Sequence, residues 1–183
     1  MKKIEYEITF HSDWHCGSGL AAGADVDALV IKDKDGLPFV PGRTVKGLLR
    51  EAAEVIGGKK MDDLFGKESE QMSALFFSNA VMREEERTAI VSNKIDKYMY
   101  RSISSTAIDD VGIAKDNSLR KVQVTVPCVL QGEIVLMSEE LDNRMGELEE
   151  LFGKAFQYVK RLGVGRNRGL GRCTIASKKG GCR

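Results

Sequence analysis

The sequence predicts an α+β fold: an antiparallel sheet with helices on one face, a sandwich of ferredoxin-like type. Three observations carry this. Residues 3–11 alternate between polar and apolar, two stretches at about 43–56 and 145–162 place apolar side chains at helical spacing, and short β-rich runs fill the intervals. The resulting order is strand, hairpin, helix, strands, helix, strand. No internal repeat or linker divides the chain, so residues 1–183 read as one domain.

Each element follows from its residues. Ile4, Tyr6, Ile8 and Phe10 point one way and Lys3, Glu5, Glu7 and Thr9 the other, the pattern of a half-buried strand. "ALVIKDKDGLPFVPG" (28–42) reads as a hairpin turning at Asp35-Gly36 and stopped by Pro41-Gly42. A helix follows from about Arg43 to Ile56, with Val45, Leu48, Leu49, Ala52 and Ile56 in one stripe and Gly57-Gly58 as its stop. "LFFSNAVM" (75–82) is a buried strand and "TAIVS" (88–92) a further short one; "REEER" (83–87) is a turn or solvated face. "KVQVTVPCVLQGEIVLM" (121–137) forms one strand broken near Pro127, or two in succession. The second long helix, from about Met145 to Leu162, buries Leu148, Leu151, Phe152, Ala155, Phe156 and Val159, with Gly163 just past its end. "RCTIA" (172–176) makes the last strand.

Residues 93–121 follow neither period. So long an irregular stretch inside a domain is functional or disordered. It mixes Lys94, Lys97, Arg101, Lys115, Arg120 and Lys121 with Tyr98, Met99, Tyr100 and Ile108, too many apolar residues for a linker. A projecting arm that touches a partner fits better.

The net charge is +1, so no global field recruits nucleic acid and any anion site must be a local patch. The four cysteines (16, 128, 173 and 182) lack a paired spacing, which fits reduced thiols in a cytoplasmic protein. A zinc site built from His15, Cys16 and a distant ligand is not expected. The first ten residues lack a signal-peptide core, and no run of about 18 apolar residues would span a membrane.

Three local features suit an anion. Arg43, Lys46 and Arg50 share a face at the start of the first helix, where cations oppose the macrodipole unless an anion reverses the balance. A solvated basic face explains them equally well. "LGVGRNRGLGR" (162–172) is the second: its glycines match neither a dinucleotide fingerprint nor a Walker loop, and it leads from helix to strand. Backbone approach at Gly165 and Gly169, with guanidinium forks from Arg166 and Arg168, suits phosphate. A helix cap with a hairpin turn is the structural alternative. The third is the arm, with Lys97, Arg101, Lys115 and Arg120. Together they describe sites for an extended polyanion, with stacking residues at hand.

These stretches resemble the RAMP superfamily, the repeat-associated proteins of CRISPR effector complexes. "GLPFVPGRTVKGLLR" is similar to its Pro-Gly turn into the first helix, "LGVGRNRGLGRCTI" to its glycine-rich loop, and "FHSDWHCGSGL" to its first strand and loop. "STAIDDVGIAKDNSLRKVQVTVP" resembles the thumb of the backbone subunit of type III complexes. The resemblance implies an RRM-like core with a projecting thumb at about 93–121. It also implies a subunit that stacks with copies of itself along a guide RNA, beside other effector subunits, and meets target RNA. Lys46, Arg50 and the loop 163–171 would follow the guide backbone. The family pattern near Ile-Asp-Ser-Pro-Val-Ile-Lys-Asp appears here as "VDALVIKD" (26–33), which puts Asp27 at the catalytic position, with Leu29 in place of the proline and Asp25 as the fallback.

A carboxylate there would act as a base on the 2′-hydroxyl or hold a divalent cation such as Mg²⁺ against the phosphate, giving a metal-dependent endoribonuclease. Without the resemblance, Asp25 and Asp27 read as solvated loop acids. Other readings stay open: the same scaffold without activity, a guide-processing endoribonuclease using His11 or His15, or a small-molecule nucleotide enzyme. Trp14 is either a base-stacking residue or a core tryptophan.

Overall fold

The computed structural model describes residues 2–21, 26–67 and 72–178. In chain order its elements are β1 (Lys3–Phe10), α1 (Gly42–Gly57), α2 (Asp62–Phe65), β2 (Leu75–Phe77), α3 (Glu84–Ser92), a 3-10 turn (Asp96–Met99), β3 (Tyr100–Ser105), β4 (Arg120–Thr125), β5 (Val129–Leu136), α4 (Glu139–Asn143), α5 (Met145–Tyr158) and β6 (Cys173–Ser177).

The alternation in β1 decides the architecture. Ile4, Tyr6, Ile8 and Phe10 are buried, and the strand is central in the sheet order β2-β5-β1-β6. Its register sets Ile4 opposite Ile134 and Ile8 opposite both Leu130 and Ile175, so one apolar face runs across three antiparallel strands. α1 and α5 pack on each other and on that face. From α1 come Val45, Leu49, Ala52 and Ala53, with Leu48 partly buried; Ile56 lies at the stripe's edge and is exposed. Gly58, at φ 65°, takes the left-handed conformation that ends the helix. From α5 come Leu148, Phe152, Ala155 and Phe156. The Phe152 ring stands edge-on to Phe65 and Phe77 at 6.2 and 6.3 Å and tilts against Phe156 at 6.1 Å. The elements of this sheet run strand-helix-strand-strand-helix-strand along the chain, with both long helices on one face.

Four expectations change. "TAIVS" is not a strand: residues 84–92 form α3, whose first turn holds Glu84, Glu85 and Glu86 and so favours a helix N-terminus. The "REEER" run therefore supplies the start of that helix. α5 stops at Tyr158 rather than Leu162. Val159 turns to an extended conformation, and Val159 and Leu162 stay buried as a strand-like return in which Leu162 and Gly171 are hydrogen-bonded at 2.9 Å. Gly163 is therefore not the cap of that helix. The run 121–137 forms two strands in succession, one of the two forms expected; they lie in different sheets, because β4 pairs not with β5 but with β3.

That last pairing gives the irregular stretch its form. β3 and β4 make an antiparallel ribbon with Arg101 opposite Val124 and Ser105 opposite Arg120. Beyond it, Asp109 organises a tight turn, its Oδ1 accepting the Val111 and Ile113 N–H groups at 3.0 and 2.8 Å. Ile108, Val111, Ile113 and Leu119 are exposed there. Among the described residues no helix is long and apolar enough to cross a membrane.

Because Phe152 joins α5 to α2 and to strand β2 at full burial, Phe152→Ala should lower unfolding free energy by about 3–5 kcal/mol in a denaturant titration. A loss below about 1 kcal/mol would mean that the aromatic cluster is not the centre of the core.

Candidate functional site

The chain leaving β1, residues 11–17, has no strand neighbour of its own in the main sheet, yet Asp13, Trp14, His15 and Cys16 are buried. Buried backbone groups need partners, and three separate segments supply them. The ribbon is the first: the Trp14 N–H donates to the Thr125 carbonyl at 3.0 Å and the Thr125 N–H to the Trp14 carbonyl at 2.8 Å. The glycine-rich loop is the second: Val164 N–H donates to the His15 carbonyl (2.8 Å), Gly171 N–H to the Asp13 carbonyl (2.7 Å), and His11 N–H to the Arg172 carbonyl (2.8 Å). The segment carrying Asp27 is the third, through Ile31 N–H to the Cys16 carbonyl at 2.8 Å and a bridge between Gly17 and Val30.

Side chains tighten the same hub. Arg101 Nε donates to Asp13 Oδ2 at 2.6 Å, tying β3 to a buried carboxylate. His15 Nδ1 lies 2.6 Å from the Gln123 carbonyl and acts as donor to it. Trp14 stacks on Phe10 at 4.3 Å and is buried, so it is a core tryptophan. His11 is exposed and bonded to Thr174 Oγ1 at 2.8 Å.

The glycines of the loop now have separate reasons. Arg161 and Arg172 pair across its base, and Arg168 N–H donates to the Gly165 carbonyl at 2.7 Å, closing a tight turn. Gly163 has φ 95° and Gly171 φ 69°; a Cβ would strike the His15 carbonyl oxygen at the first and the Leu162 carbonyl oxygen at the second. Gly169, at φ 87°, faces open space. The loop is thus pressed onto the hub at both ends and presents Arg166, Asn167, Arg168 and Gly169 to solvent.

At the start of α1, Gly42 sits so close to the end of β2 that any Cβ would meet the Phe77 and Ser78 carbonyls, and its N–H donates to Asn79 Oδ1 at 3.0 Å. The first turn holds no acid. Arg43, Lys46 and Arg50 do share a face, lining a groove of about 300 Å³ with Lys67, which sequence reading missed because it arrives from beyond α2. Burial, then the neighbouring Arg50 charge, holds the Lys46 ammonium below its ordinary value. Arg50 is differently placed: it is ion-paired to Glu54 and Asp62 and donates to the Gly66 carbonyl at 3.0 Å. It clamps α1 to α2 while walling the groove.

Asp27 is exposed beside the ribbon, toward its tip end. Its N–H donates to the Lys121 carbonyl at 2.8 Å, and its Oδ2 accepts the Lys121 N–H at 2.6 Å. Asp25 lies outside the described residues. Among the described residues, no group of three or more His, Cys, Asp or Glu could hold a metal ion. Lys97 lies 5.1 Å from the exposed Tyr98 ring, and Lys115 and Arg120 are exposed on the ribbon. Burial pushes the Cys16 and Cys128 thiols up to about 12 and Cys173 to about 11, which removes them as nucleophiles.

A family profile described as the RAMP superfamily matches residues 7–174, from the middle of β1 through α1, the ribbon and the glycine-rich loop into β6. The chain belongs to the RAMP superfamily. No curated protein sequence matches it. Two solved structures share the fold of this RAMP-superfamily chain. A chain of "Cryo-EM structure of the Type III-B Cmr-beta bound to cognate target RNA" aligns at TM-score 0.77 and 8% identity, covering 97% of each chain. A chain of "Type III-B Cmr-beta Cryo-EM structure of the Apo state" aligns at TM-score 0.73 and 10% identity, covering 97% of this chain and 98% of that one.

The loop geometry sets an order of sensitivity. Gly171→Ala and Gly163→Ala, which add a collision with a carbonyl to a strained φ, should lower the thermal midpoint more than Gly169→Ala, whose strain alone costs about 1–2 kcal/mol. Equal midpoints for all three would show that the loop is not pressed onto the hub.

Proposed function

We propose that this chain is a guide-RNA-binding backbone subunit of a type III-like CRISPR interference complex, stacking along the guide with copies of itself beside other effector subunits, and that it cleaves complementary target RNA at Asp27. One observation carries the reading. In a RAMP-superfamily chain, the glycine-rich loop, the ribbon and the Asp27 segment are all hydrogen-bonded to the same short stretch after β1. A basic groove at α1, exposed arginines on the loop and a projecting ribbon with apolar and cationic residues then suit one extended polyanion. On this reading the thumb is the ribbon and its tip, whose exposed Ile108, Val111 and Ile113 part the bases of a guide–target duplex. One solved neighbour is described as bound to cognate target RNA, which supports target RNA as a partner.

Guide contacts are assigned to Arg43, Lys46, Gly165, Arg166, Arg168 and Gly169, with Arg50 shaping the groove. Lys97, Lys115 and Arg120 serve the strand along the ribbon, and Arg101 sets the ribbon's angle through Asp13. Asp27 keeps one carboxylate oxygen on the Lys121 N–H, which orients it and leaves the other oxygen for a ligand. A single exposed carboxylate fits Mg²⁺, which keeps several waters and takes one or two carboxylates together with substrate phosphate. When bound, the ion supplies charge neutralisation at that phosphate. Asp27 orients and holds it, or accepts the 2′-hydroxyl proton directly.

In the assembled complex with guide, complementary RNA and magnesium, Asp27→Ala should abolish cleavage and leave RNA binding intact. Equal cutting by Asp27→Ala and wild type sinks the catalytic assignment. Loss of cutting in His11→Ala with Asp27→Ala active would point instead to a guide-processing nuclease.

Affinity for single-stranded RNA should fall with salt, and Lys46→Ala and Arg166→Ala should each weaken binding and make the log–log salt slope shallower by about 0.7. A mononucleotide that binds as tightly as long RNA, with no salt slope, would overturn the polyanion reading.

A further inference from the structure

A second groove adjoins the basic one. About 470 Å³ of space lies between the hairpin at 31–39, the end of β2 and the start of α1, lined by Ile31, Phe39, Pro41, Arg43, Phe76 and Ser78. That volume lies within the range of about 300–1,000 Å³ usual for small-ligand sites. Phe76 is on the outer face of an edge strand and 56% exposed, although its neighbours Leu75 and Phe77 are buried. A lone exposed phenylalanine is ordinary; this one lines a groove together with a second aromatic, Phe39, and a cation, Arg43. β2 is three residues long, too short an edge to template another strand.

Arg43 decides what the occupant is. It lines both grooves: on one side it meets Lys46 and Lys67, on the other Phe39 and Phe76. A ligand that spans the two must be anionic at one end and flat and apolar at the other. That is the chemistry of a nucleotide, with its phosphate on cations and its base on an aromatic face. We infer that the Phe39–Phe76 groove is a nucleobase subsite, in which one base of the bound RNA turns out of the strand and lies on Phe76 while its phosphate is held by Arg43 and Lys46. The inference rests on the RNA-binding reading above and adds to it a stacking contact away from the ribbon.

The test uses the full chain and an oligouridylate carrying 5-iodouridine, which crosslinks to aromatic side chains on irradiation, together with an affinity titration. The crosslink should map to Phe76 or Phe39. Phe76→Ala should weaken binding by roughly 5- to 150-fold, the range for one lost base stack, with an unchanged salt slope because no cation is lost. Phe76→Trp should restore affinity, and the exposed position makes a folding defect in either variant easy to check by circular dichroism. Uridine monophosphate at equal concentration should not displace the oligomer; displacement would assign the groove to a free nucleotide and overturn its role in RNA. Wild-type affinity in Phe76→Ala, with Lys46→Ala and Arg166→Ala both weakened, removes the subsite and leaves the RNA reading standing. Wild-type affinity in all three variants removes both. A changed sedimentation coefficient in Phe76→Ala with unchanged RNA affinity makes the groove a contact between protein chains and overturns the proposal.

Discussion

The arrangement depends on the stretch after β1. Residues 13–16 are buried outside the main sheet, so their N–H and carbonyl groups must be satisfied by whatever lies beside them. What lies beside them is the ribbon, the glycine-rich loop and the Asp27 segment. The bonds that fix these parts relative to one another are mostly main-chain bonds. Main-chain bonds place few demands on side-chain identity beyond glycine where carbonyls approach, as at Gly163 and Gly171.

Charge is partitioned on the same scaffold. The sheet face away from the helices carries Glu5 directly opposite Glu133, both tied by Lys3, and Glu7 tied by Arg83. Pairing with Arg83 holds the Glu7 carboxyl below its ordinary value, so the acid stays charged on that face. Away from Phe76 at its β2 edge, this face offers paired charges, with Lys178 beside Glu5 and Glu133, rather than the aromatic platforms with which an open sheet binds RNA. The cations of the candidate site sit elsewhere: at the start of α1, on the loop tip and along the ribbon. A net charge of +1 therefore combines a sheet face of paired charges with basic stretches at its edges.

Which parts were legible follows from which signals the physics writes into side chains. β1 and the two long helices each bury one face, so their periods were plain, and Gly57-Gly58 ended α1 where expected. The end of α5 was not, because Val159 and Leu162 are buried in the extended return just as they would be in a further turn of helix. The ribbon left no period because both of its faces meet solvent along most of β3. "TAIVS" carries β-branched residues, yet three glutamates in the preceding turn and the Arg87 pairs to Asp33 and Asp35 set a helix there. Of the site, Arg43, Lys46 and the loop arginines were readable as a pattern. The ion pairs of Arg50 with Asp62 and of Arg101 with Asp13 join residues far apart in the chain, and the hub itself is written in backbone groups that no side-chain pattern reports.

Two contacts hold the ribbon at different points, and they constrain the proposed chemistry. Near its tip end, Lys121, opposite Ser104, is bound to the backbone and carboxylate of Asp27; nearer its root, Arg101, opposite Val124, is bound to Asp13, whose carbonyl also receives the loop through Gly171. The Asp13 side chain is 6% exposed, so removing Arg101 would leave a buried carboxylate without its cation. The ribbon is thus fixed, through Asp13, to the glycine-rich loop at one contact and to Asp27 at the other. On the proposed function, a strand held by the loop and parted by the ribbon would meet Asp27 at one fixed offset from the point of parting, and the cleavage position would then be a property of the hub's hydrogen bonds rather than of the bases cut.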